Sequence, residues 1–148
     1  MKALVQRVKK ASVTIGGNLY SEIGAGMLVL LGVEKGDSEK EAVYLANKTA
    51  NLRIFEDENA KMNLNVKDIS GSLLVVSQFT LAGDTSRGNR PGFETAAPPE
   101  LAAPLYEFYV KELAAKGIPV KTGVFQADMQ VALINDGPVT FMLEKRNC

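Results

Sequence analysis

Residues 73–81 read Leu-Leu-Val-Val-Ser-Gln-Phe-Thr-Leu, an apolar run that changes abruptly into a polar phrase. An uninterrupted apolar run that includes two β-branched residues is typical of a strand buried on both faces. Ser77, Gln78 and Thr80 then stand where that strand ends. Because polar groups at the end of a buried strand can direct hydrogen bonds at a ligand, this stretch predicts a central strand and a binding site.

A second phrase, Asn135-Asp136-Gly137-Pro138, precedes another apolar run. Its residues are common turn formers, so the simplest interpretation is a hairpin turn between strands at 129–134 and 139–144. The alternative is a cis Gly137–Pro138 bond, because X-Pro bonds favour trans by only about 0.5–1 kcal/mol. A cis bond would turn two neighbouring carbonyls in an unusual direction, where they can hold an ammonium group. The sequence leaves both interpretations open.

The bulk composition indicates one globular domain. A chain of 148 residues, 46% hydrophobic and 23% charged, fits a single domain that buries roughly 70% of its unfolded surface. No apolar run approaches the roughly 20 residues that span a membrane, and charges interrupt the first residues before a signal-peptide core forms. We therefore expect a cytoplasmic protein without membrane contact.

Charge and residue counts restrict the chemistry. Seventeen basic and 17 acidic residues cancel, which argues against DNA or general RNA binding but permits contact with a few phosphates. The chain has no histidine, and its only cysteine, Cys148, is at the last position and is predicted to be incidental. No multi-thiolate metal site is possible, and we expect neither metal nor cofactor. Chemistry must use hydroxyls, backbone amides, carbonyls or the substrate.

The first half of the chain alternates strands with one helix. Val5 to Ile15 followed by Gly16-Gly17 predicts a hairpin, and Gly24-Ala25-Gly26 predicts a second turn before a buried strand at 27–33. Ser38 and Glu41 form a capping-box pattern that begins a helix. A short strand at 52–55 and a polar loop at 56–61 should follow. The apolar face of this helix consists of Ala42, Leu45, Ala46, Thr49 and Leu52.

The second half predicts a long loop at 82–97 and a second helix opened by Pro98-Pro99. Gly117 and Pro119 should end that helix, and strands are predicted at 120–125, 129–134 and 139–144. The apolar stripe of the helix consists of Leu101, Leu105, Phe108, Tyr109 and Leu113. The predicted product is one α+β domain over residues 1–148, with a mixed, curved, barrel-like sheet and two main helices.

The polar phrase after the first strand allows several roles. Ser77 and Thr80 hydroxyls can simply bond nearby backbone. Alternatively, the Phe79 and Thr80 amides form an oxyanion hole, with Thr80 as a nucleophile or as a polar contact. A threonine nucleophile needs a neighbouring base, which disfavours that version here. The loop with Arg87 and Arg90 is either plain solvated chain or a phosphate contact.

Short phrases spread over the whole chain form a recognisable set. They are Gln6-Arg7-Val8, Gly24-Ala25-Gly26, Leu31-Gly32-Val33, Lys61-Met62-Asn63-Leu64, Ser77-Gln78-Phe79-Thr80-Leu81, Arg90-Pro91 and Asn135-Asp136-Gly137-Pro138-Val139-Thr140. Together, at this spacing and chain length, they resemble the D-aminoacyl-tRNA deacylase family from end to end. One departure is Gly92, where many relatives have Ser after Arg-Pro.

The resemblance implies a homodimer that hydrolyses the ester between a D-amino acid, or glycine, and the 3′ end of tRNA. It implies that Gly137-Pro138 of one subunit enters the other's pocket, where its carbonyls take the α-ammonium and exclude L side chains. It also implies that Ser77 and Gln78 hold the terminal adenosine. The backbone amides of Phe79 and Thr80 would then face the scissile carbonyl, and the 2′-hydroxyl of the tRNA would take the place of a protein base. By the same resemblance, Arg7 supports the Gly-Pro segment, and Phe125 and Met129 border the adenine.

Two other hypotheses remain at the level of sequence. In one, Thr80 is a covalent nucleophile of the same esterase. In the other, the chain is a dimeric RNA- or amino-acid-binding module without catalysis, which the missing histidine favours and the zero net charge disfavours.

Overall fold

The computed structural model describes residues 1–146, so Cys148 lies outside the described residues. It contains eight strands, two α-helices and one 3₁₀ turn. The strands are β1 Lys2–Ile15, β2 Asn18–Ile23, β3 Gly26–Gly32, β4 Phe55–Glu56, β5 Met62–Leu64, β6 Ser72–Ser77, β7 Val120–Thr122 and β8 Gln130–Glu144. The helices are α1 Glu39–Asn51 and α2 Pro99–Ala114, and the 3₁₀ turn is Phe79–Ala82.

The main sheet is organised around β1. Strands β2 and β3 pair antiparallel with consecutive parts of β1 on one side, and β8 pairs antiparallel along its other side. Strands β3, β6 and β7 are mutually parallel neighbours, so the sheet is mixed. The Ser21 hydroxyl of β2 donates to the Thr122 carbonyl of β7 at 2.8 Å, which draws the sheet into a nearly closed barrel. The predicted α+β class with a curved mixed sheet is confirmed.

Two apolar cores lie on the two faces of this sheet. Both helices cover one face, where the buried hydroxyls of Thr49 on α1 and Tyr109 on α2 share a hydrogen bond of 2.7 Å. Tyr106 on α2 donates to the Val75 carbonyl of β6 at 2.7 Å. The concave face closes on itself around buried residues that include Val13, Leu74 and Val76. Strand β6 is therefore buried on both faces, as its apolar run predicts.

The first helix begins as its sequence predicts. The Ser38 amide donates to the Glu41 carboxylate at 2.7 Å, and the Ser38 hydroxyl accepts from the Lys40 amide at 3.3 Å. These contacts satisfy donors that the first turn of a helix leaves free. The capping box is confirmed.

The predicted hairpin at 135–138 is wrong. Residues 130–134 and 140–144 both pair antiparallel with β1, so they run in the same direction and belong to one strand. A hairpin would reverse the chain. Asn135 and Thr140 are five positions apart on β8, whereas their partners Val8 and Gln6 are two positions apart on β1. The Asn-Asp-Gly-Pro phrase is thus a wide bulge within β8.

Three further predictions need correction. Strand β7 ends at Thr122 instead of residue 125, because Gly123 begins a loop that turns across the open end of the barrel. The short strand predicted at 52–55 begins only at Phe55 and pairs with β5, which the sequence did not reveal. Leu101 of the predicted α2 stripe is 57% exposed; Ala102 and Tyr106 are buried instead.

In residues 1–146 no helix has the length and apolar character needed to cross a membrane.

Candidate active site

A cavity of about 600 Å³ opens where β6 ends. Its walls come from the end of β6, the 3₁₀ turn, the start of α2 and the loop that follows β7. Five predicted site residues line it together, namely Ser77, Gln78, Phe79, Phe125 and Met129. Because β6 and β7 are parallel, their carboxyl ends open toward the same edge, which places residues 77–79 beside the loop after β7.

The 3₁₀ turn presents backbone amides at the rim of the cavity. The Gln78 amide donates to the Leu31 carbonyl at 2.8 Å, which fixes the end of β6 before the chain turns. The amides of Phe79 and Thr80 open the 3₁₀ turn, where no intrahelical acceptor exists, and Gln78 contributes no side-chain cap. Two adjacent donors held this way can receive an oxyanion.

Gly83 is needed to close this turn. Its amide donates to the Thr80 carbonyl at 2.9 Å. A Cβ at this position would lie 2.9 Å from that carbonyl oxygen and 3.2 Å from the Phe93 ring. Any side chain at position 83 would therefore force the Phe79–Ala82 turn to shift.

The Thr80 hydroxyl has no base beside it. Its oxygen accepts a hydrogen bond from the side-chain amide of Gln78. An amide donor supplies a proton to the hydroxyl oxygen and cannot remove one, so this contact does not activate Thr80 as a nucleophile. It orients Thr80 next to the free amides, although Thr80 itself does not line the cavity.

The loop after β7 contributes two large apolar side chains to the cavity, those of Phe125 and Met129. The Phe125 ring lies 6.1 Å from the Tyr106 ring of α2. A Cβ on Gly123 would come within 2.6 Å of the Met129 sulfur, so glycine at 123 lets Met129 pack against the loop. Burial raises the pKa of Tyr106 to about 12, which keeps its phenol a neutral donor to β6. Flat apolar surfaces such as Phe125 and Met129 suit a nucleobase.

Arg7 and the Gly-Pro bulge lie outside this cavity. Arg7 is 7% exposed and binds two carbonyls: its Nε donates to Asp136 at 2.9 Å and its Nη1 to Ile54 at 2.7 Å. The Val139 amide donates to the Asn135 side chain at 2.7 Å. The Gly137–Pro138 peptide bond is cis, and both residues are exposed. Arg7 therefore holds the Asp136 carbonyl of the bulge and does not line the cavity.

Comparison with known proteins identifies the family. The sequence profile described as D-Tyr-tRNA(Tyr) deacylase matches residues 4–144. The chain belongs to the D-Tyr-tRNA(Tyr) deacylase family. A protein of Thermodesulfovibrio yellowstonii named D-aminoacyl-tRNA deacylase is 59% identical, with 99% of this chain and 100% of that protein covered. A Geotalea uraniireducens protein of the same name is 62% identical, with 97% and 93% covered. The predicted family and its enzyme class, an ester hydrolase, are confirmed.

Two solved structures share the fold of this chain. A structure titled c-Myc DNA Unwinding Element Binding Protein has a TM-score of 0.94 and 45% identity, and the match covers 99% of this chain and 100% of that one. A structure titled as a probable eukaryotic D-amino acid tRNA deacylase has a TM-score of 0.80 over 96% and 97% of the two chains. At 15% identity the second likeness shows the fold alone.

Other cavity residues of this deacylase family member escaped the sequence predictions. Gln126 and Asp128 line the cavity beside Phe125, and Gln126 has φ +66°. Pro99 and Ala102 enter from the first turns of α2. Pro99 was predicted only as the start of a helix, and the other three stand in no functional motif, so only the packing of α2 and the loop after β7 around the end of β6 reveals them. Among residues 1–146, no three His, Cys, Asp or Glu side chains are grouped to hold a metal ion.

Proposed function

We propose that this protein hydrolyses the ester of D-aminoacyl-tRNA and of glycyl-tRNA mischarged on alanine tRNA, releasing the amino acid and free tRNA. Residues 1–148 form one catalytic domain, which acts during translation in the cytoplasm without a cofactor. The observation that carries the proposal is the pair of free amides at Phe79 and Thr80 on the rim of a cavity that can hold a nucleoside. Membership of the deacylase family supports it.

The chemical step needs no protein base. Water attacks the ester carbonyl carbon, and the negative oxygen that forms lies between the Phe79 and Thr80 amides. Donors of this kind typically contribute about 2.7–4 kcal/mol each to the stability of the transition state. The carbon–oxygen bond to the 3′ oxygen of the terminal adenosine then breaks. The neighbouring 2′-hydroxyl of the tRNA relays the proton from water to that oxygen. Ser77 and Gln78 hold the adenosine, with its adenine between Phe125 and Met129.

Chirality is sensed by the Gly-Pro bulge of a partner subunit. The carbonyls of Gly137 and Pro138 bind the substrate's α-ammonium, and an L side chain then collides with the same backbone. Glycine passes because it has no side chain. Support comes from the position of the bulge: its residues 136–139 have no register partner on β1, and Gly137 and Pro138 are exposed away from their own cavity.

The outer surface of β8 supports the homodimer. This strand pairs with β1 on one side, and no other strand of residues 1–146 pairs with its opposite edge. Phe141, Met142 and Ile134 of the same strand are 41%, 50% and 47% exposed. A long unpaired strand with exposed apolar side chains is usually covered in the native assembly.

A chiral deacylation assay tests the function. Purified protein is incubated with D-Tyr-tRNA, L-Tyr-tRNA and Gly-tRNA, and the remaining ester is followed with time. We expect loss of the D- and glycyl esters and persistence of the L ester. Equal release of D- and L-tyrosine, or saturable binding without release, would reject the proposal and favour a binding module.

Mixed dimers test the cross-subunit site. One variant carries Gly137→Val and lacks a functional bulge; the other carries Phe79→Pro and lacks one amide of the oxyanion hole. Each alone should be inactive. If each site combines both subunits, random mixing restores about one quarter of wild-type activity, because half of the dimers then contain one intact site. No recovery in mixtures that demonstrably exchange subunits would place the whole site within one protomer.

Substitution of Thr80 separates its two proposed roles. Thr80→Val keeps the backbone amide and the side-chain shape but removes the hydroxyl. If the amide is the functional group, we expect kcat to fall less than about tenfold, well short of the roughly hundredfold or greater loss typical when an oxyanion donor or an acid–base group is removed. Complete loss of turnover in a folded Thr80→Val protein would instead support the covalent role.

A further inference from the structure

A short loop with two arginines leaves the 3₁₀ turn and folds back beside it. Backbone hydrogen bonds between Asp84 and Gly92, with N···O distances of 2.7 and 2.9 Å, close the segment 84–92, called here the arginine loop. Asp84 also accepts from the Ser86 amide at 2.9 Å. The loop has a defined shape although residues 84–91 are exposed. Gly92 contributes only backbone atoms to this closure, so its difference from the Ser of many relatives leaves the closure intact.

Both ends of the arginine loop are attached to the 3₁₀ turn that carries the proposed catalytic residues. Only Gly83 separates it from the 3₁₀ turn. Phe93, directly after the loop, packs edge-on against Phe79 with ring centroids 5.1 Å apart. The Thr95 hydroxyl donates to the Ala82 carbonyl at 3.0 Å. The loop therefore stands on the rim of the cavity that Phe79 lines.

The two arginines are available for a ligand. Arg87 and Arg90 are exposed, and across residues 1–146 neither guanidinium lies within ion-pair distance of a carboxylate. Asp84, the acid within the loop, is engaged instead by Ser86, whose side-chain and backbone hydrogen bonds lower its pKa. Guanidinium groups match phosphate oxygens with two parallel hydrogen bonds.

We propose that Arg87 and Arg90 bind backbone phosphates of the 3′ strand of the tRNA, just before the terminal adenosine. This inference rests on the proposed function. The cavity of about 600 Å³ holds little more than the terminal nucleoside and its amino acid, so the strand has to leave across the rim. The arginine loop is the part of that rim next to Phe79, through the contact between Phe93 and Phe79. A chain with no net charge has no long-range attraction for tRNA, which makes local contacts decisive.

On this proposal the two arginines contribute to tRNA binding and not to hydrolysis of the ester. Arg87 and Arg90 should affect a full tRNA substrate and leave a minimal substrate, D-tyrosyl adenosine ester, untouched. The minimal ester has the nucleoside that fills the cavity but no phosphates upstream. A merely structural role for the loop would instead impair both substrates alike, because it would disturb the 3₁₀ turn.

The experiment compares Arg87→Gln/Arg90→Gln with a control of equal charge change, Lys48→Gln/Lys111→Gln, whose lysines are exposed on α1 and α2. Steady-state kinetics are measured with D-Tyr-tRNA and D-tyrosyl adenosine ester at several salt concentrations. For tRNA we expect KM to rise about fivefold, near the middle of the range for the loss of two exposed ion pairs, with kcat unchanged. The slope of log kcat/KM against log salt concentration is negative, and in the arginine variant it should become less negative by about 1.4, near 0.7 for each lost phosphate contact of a single strand.

The outcomes are distinguishable. Unchanged kinetics of the arginine variant, or equal losses in the lysine control, would overturn the phosphate contact. Equal impairment of the minimal ester would overturn it in favour of a structural loop. If wild-type protein cleaves neither substrate, the proposed function itself fails. If deacylated tRNA and single-stranded DNA of the same 3′ sequence inhibit equally through the arginines, the contact is a general anion site and its assignment to tRNA is wrong.

Discussion

Replacement of Arg7 by Met should loosen the Gly-Pro bulge and destabilise the whole domain. The guanidinium is buried and links two distant segments, since it donates to the carbonyls of Ile54 and Asp136. Its nearest carboxylate, that of Asp136, is 3.8 Å away and 42% exposed. We infer that Arg7 acts through the backbone carbonyls and only weakly through this ion pair.

The magnitude follows from the groups left behind. Methionine fills a similar volume but leaves both carbonyls without their donor, which costs about 1–3 kcal/mol for each buried group. Ile54 is 3% exposed and belongs at the upper end of this range, while water can reach the partly exposed Asp136. Relief of the buried charge offsets about 1 kcal/mol of the loss. The free energy of unfolding should therefore fall by about 2–3 kcal/mol, and Tm by about 5–10 °C.

Urea unfolding and the deacylation assay together test this reasoning. Asp136→Asn is the matched control: it keeps the backbone carbonyl and removes the carboxylate, so it should cost less than about 1 kcal/mol. Arg7→Lys keeps the charge but cannot donate in two directions, and it should lie between the control and Arg7→Met. We also expect Arg7→Met to lower the preference for D-Tyr-tRNA over L-Tyr-tRNA. A loss below about 1 kcal/mol for Arg7→Met, or an equal loss for Asp136→Asn, would refute the assignment.

Three further predictions concern backbone and burial. Gly137→Ala should lower the free energy of unfolding by about 2 kcal/mol, because φ is +136° and a Cβ would lie 2.7 Å from a Val139 methyl; an unchanged urea midpoint would contradict this. Gln126→Gly should raise the free energy of unfolding by about 0.5–1 kcal/mol, because glycine adopts the φ of +66° without strain. Ala60→Gly, at φ +59° and away from the cavity, should raise it by the same amount and leave the deacylation kinetics unchanged. Stability should also fall as pH rises from 10.0 toward about 12, because the folded pKa of Tyr106 is raised and the unfolded state loses its proton first. Urea titrations above and below pH 10 measure this slope, and Tyr106→Phe should flatten it.

Much of the fold followed from local signals in the sequence. The capping box at Ser38 and Glu41 and the paired glycines at 16–17 each act over a few residues, and the structure contains both features where they were predicted. The apolar run at 73–76 indicated a strand buried on both faces, which it is. Such features depend on propensity, capping and periodicity, and these are properties of a short segment.

The main error was the predicted hairpin at 135–138, where the conformation depends on residues far away in the sequence. Asn135-Asp136-Gly137-Pro138 has the composition of a hairpin turn, yet it bulges from a continuous strand. The decision lies with β1, because residues on both sides of the phrase form antiparallel ladders with the same partner strand. The residue types of a segment indicate that the chain can turn there, but they do not indicate which distant strand the segment pairs with.

The sequence by itself determined the family, the enzyme class and the polar phrase at the end of β6, since each defining phrase is a run of a few adjacent residues that can be identified without the fold. The tertiary structure shows Phe125 and Met129 lining one cavity with that phrase. It alone adds Gln126 and Asp128 to the cavity and leaves Gly137 outside it. These positions depend on two parallel strands ending at one edge and on the register along β1. Contacts between segments tens of residues apart arise from sheet pairing and packing, which no short stretch of sequence encodes alone.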